Sequence, residues 1–136
     1  MTNQLSQIKW GRVTLTAIVV YAISFVTVFL IITGYASYLA FQARGAPDQA
    51  MIGAFADRYG PWIGPINMIL CTFLGALWMS RRVETAVQLH GIALGVLVSL
   101  VDIIFAGARA FSLDVLIPII LIIGAGWLGS RLAAKK

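Results

Sequence analysis

The chain has 136 residues, 60% of them apolar and 11% charged, with a net charge of +5. A soluble domain holds about a quarter charged residues, and a globule of this size cannot bury so much apolar surface, so a water-soluble fold is excluded. The basic excess forms no stripe interleaved with aromatics, which excludes nucleic acid as a partner, and the single cysteine, Cys71, excludes an internal disulfide.

Four apolar runs organise the chain: 13–41, 62–80, 86–108 and 113–132. Each exceeds the 18 or so residues that cross about 30 Å of hydrocarbon. The prediction is therefore an all-α, polytopic membrane protein, with residues 1–136 forming one antiparallel four-helix bundle. Lipid takes up the apolar surface that water could not.

The first run follows Lys9 and Arg12 and superficially resembles a signal peptide. It is about twice the length of a signal h-region and lacks a cleavage site, so it reads as a retained transmembrane helix. At 1.5 Å per residue it is about 43 Å long. It should tilt or project beyond the membrane, with Gly34 as a bending point.

Between the first two runs, Pro47, Asp48 and Gln49 form a helix start. Met51, Phe55 and Tyr59 recur at four-residue spacing. A short amphipathic helix near 47–58, lying in the membrane interface, is predicted. Cys71 falls mid-way along the second run and reads as a small packing residue. The links at 81–85 and 109–112 are tight, making runs two and three, and three and four, antiparallel neighbours.

With four spans both termini share a side. That side would carry Lys9, Arg12, Arg81, Arg82, Arg131, Lys135 and Lys136, seven of the ten basic residues. Arg44, Arg58 and Arg109 would lie opposite, diluted by Asp48, Asp57 and Asp114. The basic bias predicts cytoplasmic termini in a cell inner membrane, with Trp10, Trp78 and Trp127 at the inner interface. Tyr59 and Trp62 would mark the outer one.

Runs two and four end alike, with Gly75, Trp78 and Arg81 in one and Gly124, Trp127 and Arg131 in the other. Each also has a Pro-Ile pair near its outer end, at Pro65 and Pro118. A hairpin pseudo-repeat relating 13–82 to 86–131 would account for this, about an axis along the membrane normal. Small residues, an interfacial Trp and a snorkelling Arg at any inward-pointing helix end account for it equally. Gly75 and Gly124 are expected to pack against other helices.

The third run carries the sharpest pattern. At 100° per residue, Gly91 and Gly95 lie within about 20° of Asp102 and Ser99 about 60° away, with Gln88 and Arg109 extending the stripe. Glycine gains nothing facing lipid, whereas it lets helices approach closely. This face must look inward or at another subunit. Asp102 is the one charge away from the ends of a run, roughly 9 Å from the outer end of its helix. An ionised carboxylate in hydrocarbon costs several kcal/mol unless partnered. Asn67 reaches a similar depth, Thr33 and Tyr35 could lie near, and Arg109 could fold back as a counter-charge. Asp102, Asn67, Ser99 and Arg109 are the candidate polar site, either a proton- or cation-responsive centre or a hydrogen-bonded packing cluster. His90 lies about 120° around the helix from Asp102 and some 18 Å along it, so they form no pair; it reads as a satisfied or solvated side chain.

No nucleophile sits next to a base, no carboxylates pair, and no phosphate or dinucleotide fingerprint occurs. No enzyme activity, cofactor or metal is expected. Size and four spans resemble the small multidrug transporters, whose essential acid lies in the first helix; 13–41 contains no acid, so the resemblance fails at that residue. The chain is also similar to many small bacterial four-helix membrane proteins. Its expected function is a non-catalytic accessory, assembly or scaffold role, associating with a second copy or another membrane protein through Gly91, Gly95 and Ser99. The alternative is a small oligomeric proton- or cation-coupled transporter or channel using Asp102.

Overall fold

The computed structural model describes residues 7–106 and 113–134, and the regular elements among them are all helical. They are α1 (Trp10–Ala43), α2 (Gln49–Ser80), α3 (Val87–Ala106) and α4 (Leu113–Ala133). All four are long and apolar enough to cross a membrane. α1 runs antiparallel to α2, with Ser24 against Asn67 and Tyr35 against Phe55. It runs parallel to α3, with Lys9 against His90 and Tyr21 against Asp102. The start of α1, the turn at 81–86 and the end of α4 therefore share one side, the proximal side; the turn at 44–48 is distal.

The bundle has an apolar core and an apolar outside. Val13, Leu94, Val98, Ala76, Met79 and Ile122 are buried at its centre. Phe25 is 75% exposed and Phe105 82% exposed on the outside. In water each such side chain would forgo about 1.5–3 kcal/mol; against lipid tails it forgoes nothing. The apolar exterior and four helices long enough to cross a membrane fit a multi-pass membrane protein.

Glycines set the helix contacts. A Cβ on Gly95 would stand 2.7 Å from the Cα of Ile123, and one on Gly129 would stand 2.5 Å from the Phe73 carbonyl oxygen. One on Gly91 would collide with the Gly126 carbonyl and Ser130, and one on Gly75 would meet Val20 Cγ2 at 2.6 Å. So α3 rides on α4, α4 on α2, and α2 on α1. The face of Gly91, Gly95 and Ser99 looks inward, with both glycines against α4. One expectation is corrected here. Gly124 packs against nothing, with open space around it; Gly126, two residues and roughly 200° further round, makes the contact instead.

The interfacial helix near 47–58 is also revised. These residues open α2, which continues unbroken through Pro61 and Pro65. The Asp48 side chain accepts a hydrogen bond from the Ala50 amide at 2.8 Å and caps the helix. Of the apolar stripe, Phe55 finds α1, stacking on Tyr35 with centroids 4.1 Å apart, while Met51 and Tyr59 stay exposed. That packing holds the helix together where the two prolines withdraw backbone donors. α1 has 34 residues and α3 has 20, so the α1–α2 pair outruns α3 by about 20 Å on the distal side. Over this extra length α1 stays alongside α2, and Gly34 lies within an unbroken α1.

At the proximal end His90 is fully buried. Its Nε2 accepts from the Lys9 amide at 2.9 Å and its Nδ1–H donates to the Ala86 carbonyl at 2.9 Å. The two bonds fix the neutral tautomer and tie the start of α1 to the start of α3. Ala86 takes φ 51°, a left-handed conformation that costs an alanine roughly 1 kcal/mol.

Candidate functional site

Asp102 faces into the distal half of the bundle, where α1 supplies a partner the apolar run had concealed. The Tyr21 hydroxyl lies 2.7 Å from Asp102 Oδ1 and 2.8 Å from the Val98 carbonyl. One turn along α1, Ser24 is buried and accepts from the Asn67 amide at its hydroxyl (2.8 Å) and its carbonyl (3.1 Å). Cys71 Sγ donates in turn to Asn67 Oδ1 at 3.7 Å. Three helices thus bring Tyr21, Ser24, Asn67 and Asp102 to one level.

Beside this cluster lies a cavity of about 320 Å³ to which all four helices contribute. Asp102 and Ser24 provide its polar wall, and Gly64, Pro65, Met68 and Pro118 much of the apolar one. Neither proline donates a backbone hydrogen bond, and a Cβ on Gly64 would meet nothing within 4 Å. The cavity is therefore a mostly apolar chamber with a carboxyl group on one wall.

Below Asp102 the polar groups change character. Ser99, one turn away on α3, is buried with its hydroxyl unpartnered, as is that of Thr72 on α2. In a helix such hydroxyls usually bond to a carbonyl in the preceding turn, as Thr16 does to Arg12 at 2.8 Å. Further toward the proximal side Leu94, Val98 and Met79 fill the interior. On the proximal side the site is closed by this packed interior.

Of the residues expected here, the structure unites Asp102 and Asn67 with the cavity level and puts Ser99 one turn beneath. Thr33 is exposed and Tyr35 is engaged by Phe55, so neither approaches Asp102. Arg109 lies outside the described residues. Tyr21 and Ser24 were the residues the sequence did not reveal. Their three-residue spacing, continued by Thr27, was the available signal. Among the described residues no three His, Cys, Asp or Glu side chains gather as a metal site.

The Asn67–Ser24 pair predicts a modest, coupled effect on stability. Interhelical hydrogen bonds in membranes contribute about 0.6 kcal/mol on average, up to about 1.7. Asn67→Leu should lower the thermal midpoint in detergent by an amount that Ser24→Ala does not add to. Full additivity of the two would contradict the contact.

Comparison with family models, curated proteins and solved structures returns no match, so the site is read from its own chemistry.

Proposed function

We propose that this is a small, non-catalytic multi-pass protein of the inner membrane, of transporter or channel type, in which Asp102 exchanges a proton or binds a small cation in the distal cavity. One observation carries the reading: Tyr21 has one hydroxyl proton and two acceptors within 2.8 Å, the Asp102 carboxyl and the Val98 carbonyl. With Asp102 ionised, the phenol donates to the carboxylate. With Asp102 protonated, the carboxyl donates to the phenol oxygen and the phenol turns to Val98. Both states keep their hydrogen bonds, which suits a group that gains and loses a proton at this depth.

Further support comes from the helices involved. A conduction or binding path needs polar groups from several spans, and here α1, α2 and α3 all supply them. The basic proximal side, with Arg12, Arg81, Arg82 and Arg131, favours cytoplasmic termini, which puts the cavity in the half of the bundle away from the cytoplasm.

A second reading, an accessory protein that docks a membrane partner or a further copy, is favoured by the projecting tip of α1 and α2. Tyr38, Met51 and Phe41 are exposed there, Phe41 at 85%. This surface replaces the glycine face as the place where such an association would occur.

The test is flux in proteoliposomes under an imposed pH gradient. The wild type is expected to dissipate the gradient, Asp102→Asn to reduce the rate at least tenfold, and Gly64→Leu, which fills the chamber, to do the same with the fold intact. A rate no higher than that of empty vesicles, or an undiminished rate in Asp102→Asn, would reject the transporter reading. Removal of the exposed aromatics with Tyr38→Ser and Phe41→Ser would then be read for loss of a co-purifying partner or change in assembly mass.

A further inference from the structure

A second pair of concavities lies on the opposite half of the molecule, along the α1–α2 seam. At the proximal end a cleft of about 160 Å³ is lined by Arg12, Thr16, Trp78 and Arg82. Directly below it runs an apolar groove of about 290 Å³, whose walls include Val19, Ile23, Leu74 and Gly75. Thr16 and Trp78 belong to both, so the two form one continuous furrow with a basic head and an apolar stem.

The head is built to receive an anion. The Arg12 guanidinium donates to the backbone carbonyl of Arg82, and the Arg82 guanidinium sits 4.5 Å from the centre of the Trp78 ring. The guanidiniums are thus held by a carbonyl and an aromatic face rather than by carboxylates, and both charges converge on one cleft. Glu84, the one acid in the turn at 81–86, is exposed. Guanidinium groups held in this way bind phosphate oxygens with two parallel donors.

The stem fixes the kind of molecule that brings the anion. From Arg12 to Ile23 is eleven residues, about 16 Å of helix, or half the hydrocarbon thickness of about 30 Å. The furrow therefore extends from head-group level to the bilayer midplane, the depth of one leaflet. Leu74 and Ile23 are exposed along it, at 58% and 53%. Gly75 keeps its floor low by allowing α1 and α2 to touch, with Val20 Cγ2 only 2.6 Å from where a Cβ would stand.

We infer that the α1–α2 furrow is a specific site for an anionic phospholipid of the proximal leaflet, its phosphate between Arg12 and Arg82 and one acyl chain in the groove. A zwitterionic lipid brings its own ammonium to a cleft that already holds two cations, so the net negative head group is preferred. The α4 end provides an internal comparison: Arg131 lies 5.0 Å from the Trp127 ring centre in the same arrangement, and it lines neither part of the furrow.

Lipid retention by native mass spectrometry tests this, with protein exchanged into mixed micelles containing equal phosphatidylglycerol and phosphatidylcholine. The wild type should retain one phosphatidylglycerol in preference to phosphatidylcholine. Arg82→Gln removes one guanidinium but keeps the backbone carbonyl that Arg12 uses, so the fold should persist, and the preference should fall about fivefold. Arg131→Gln should leave it unchanged. Inorganic phosphate, added without lipid, should give no thermal stabilisation. Equal retention of the two lipids by the wild type, an unaltered preference in Arg82→Gln, an equal loss in Arg131→Gln, or stabilisation by phosphate alone would each overturn the proposal.

Discussion

Gly91→Leu is expected to prevent α3 and α4 from docking, giving a protein that inserts but does not form a compact bundle. The reason is what the new side chain would meet. Even its Cβ collides with the Gly126 carbonyl and with Ser130, and a backbone carbonyl cannot rotate aside as a side chain would. Overpacking a core typically costs about 1–3 kcal/mol when neighbours can repack; here the helices themselves must separate, so more than about 3 kcal/mol is expected. Gly91→Ala should cost about 2–3 kcal/mol by the same contact. Gly34→Ala, where a Cβ meets nothing within 4 Å, should instead gain up to about 1 kcal/mol from helix propensity. Thermal unfolding in detergent distinguishes these, and the mass of the species matters as well. A Gly91→Leu variant that kept its thermal midpoint while losing a subunit would mean the face lies between copies after all.

The second large effect concerns His90. His90→Ala removes a fully buried ring together with both of its hydrogen bonds. It leaves a cavity at the proximal end of the core and deprives the Lys9 amide of its acceptor. Buried truncations of this size cost roughly 2–5 kcal/mol, and a donor left unmade adds to that. The expected result is a loss of about 3 kcal/mol, with proteolysis or hydrogen exchange showing the start of α1 released from α3 first. His90→Asn, which can keep an acceptor for the amide, should recover part of the loss. A variant as stable as the wild type would show that the Lys9–His90–Ala86 connection does not hold the proximal end together.

The fold was legible because membrane spans are a question of length and charge. A run of 20 or more apolar residues admits few other readings, and the four elements follow within a few residues at most ends. The start of α2 was the exception. Gly60 and Pro61 suggest a break, and contacts with α1 on both sides of it, Tyr35–Phe55 before and Ser24–Asn67 after, join segments that the local sequence does not relate. Asp102 and Asn67 were visible because a charge or an amide is conspicuous in hydrocarbon. Tyr21 was not, since a tyrosine within 29 uninterrupted residues has no local mark of its partner. The glycine stripe on α3 gave the correct face but not its occupant. α4 carries Gly124, Gly126 and Gly129 within six positions, too many for the sequence to reveal which ones meet α3.

The unequal lengths of the helices make α1 and α2 levers. Both run as helix from the turn at 44–48 down to the level of Ser24, Gly64 and Asn67, α2 passing through Pro61 on the way. On the proposed function, a load applied at the tip, whether by a binding protein or by a bilayer of different thickness, is expected to reach the Ser24 and Gly64 walls of the chamber before it reaches the shorter pair α3 and α4. External force and occupancy of the carboxyl pocket would then be coupled quantities.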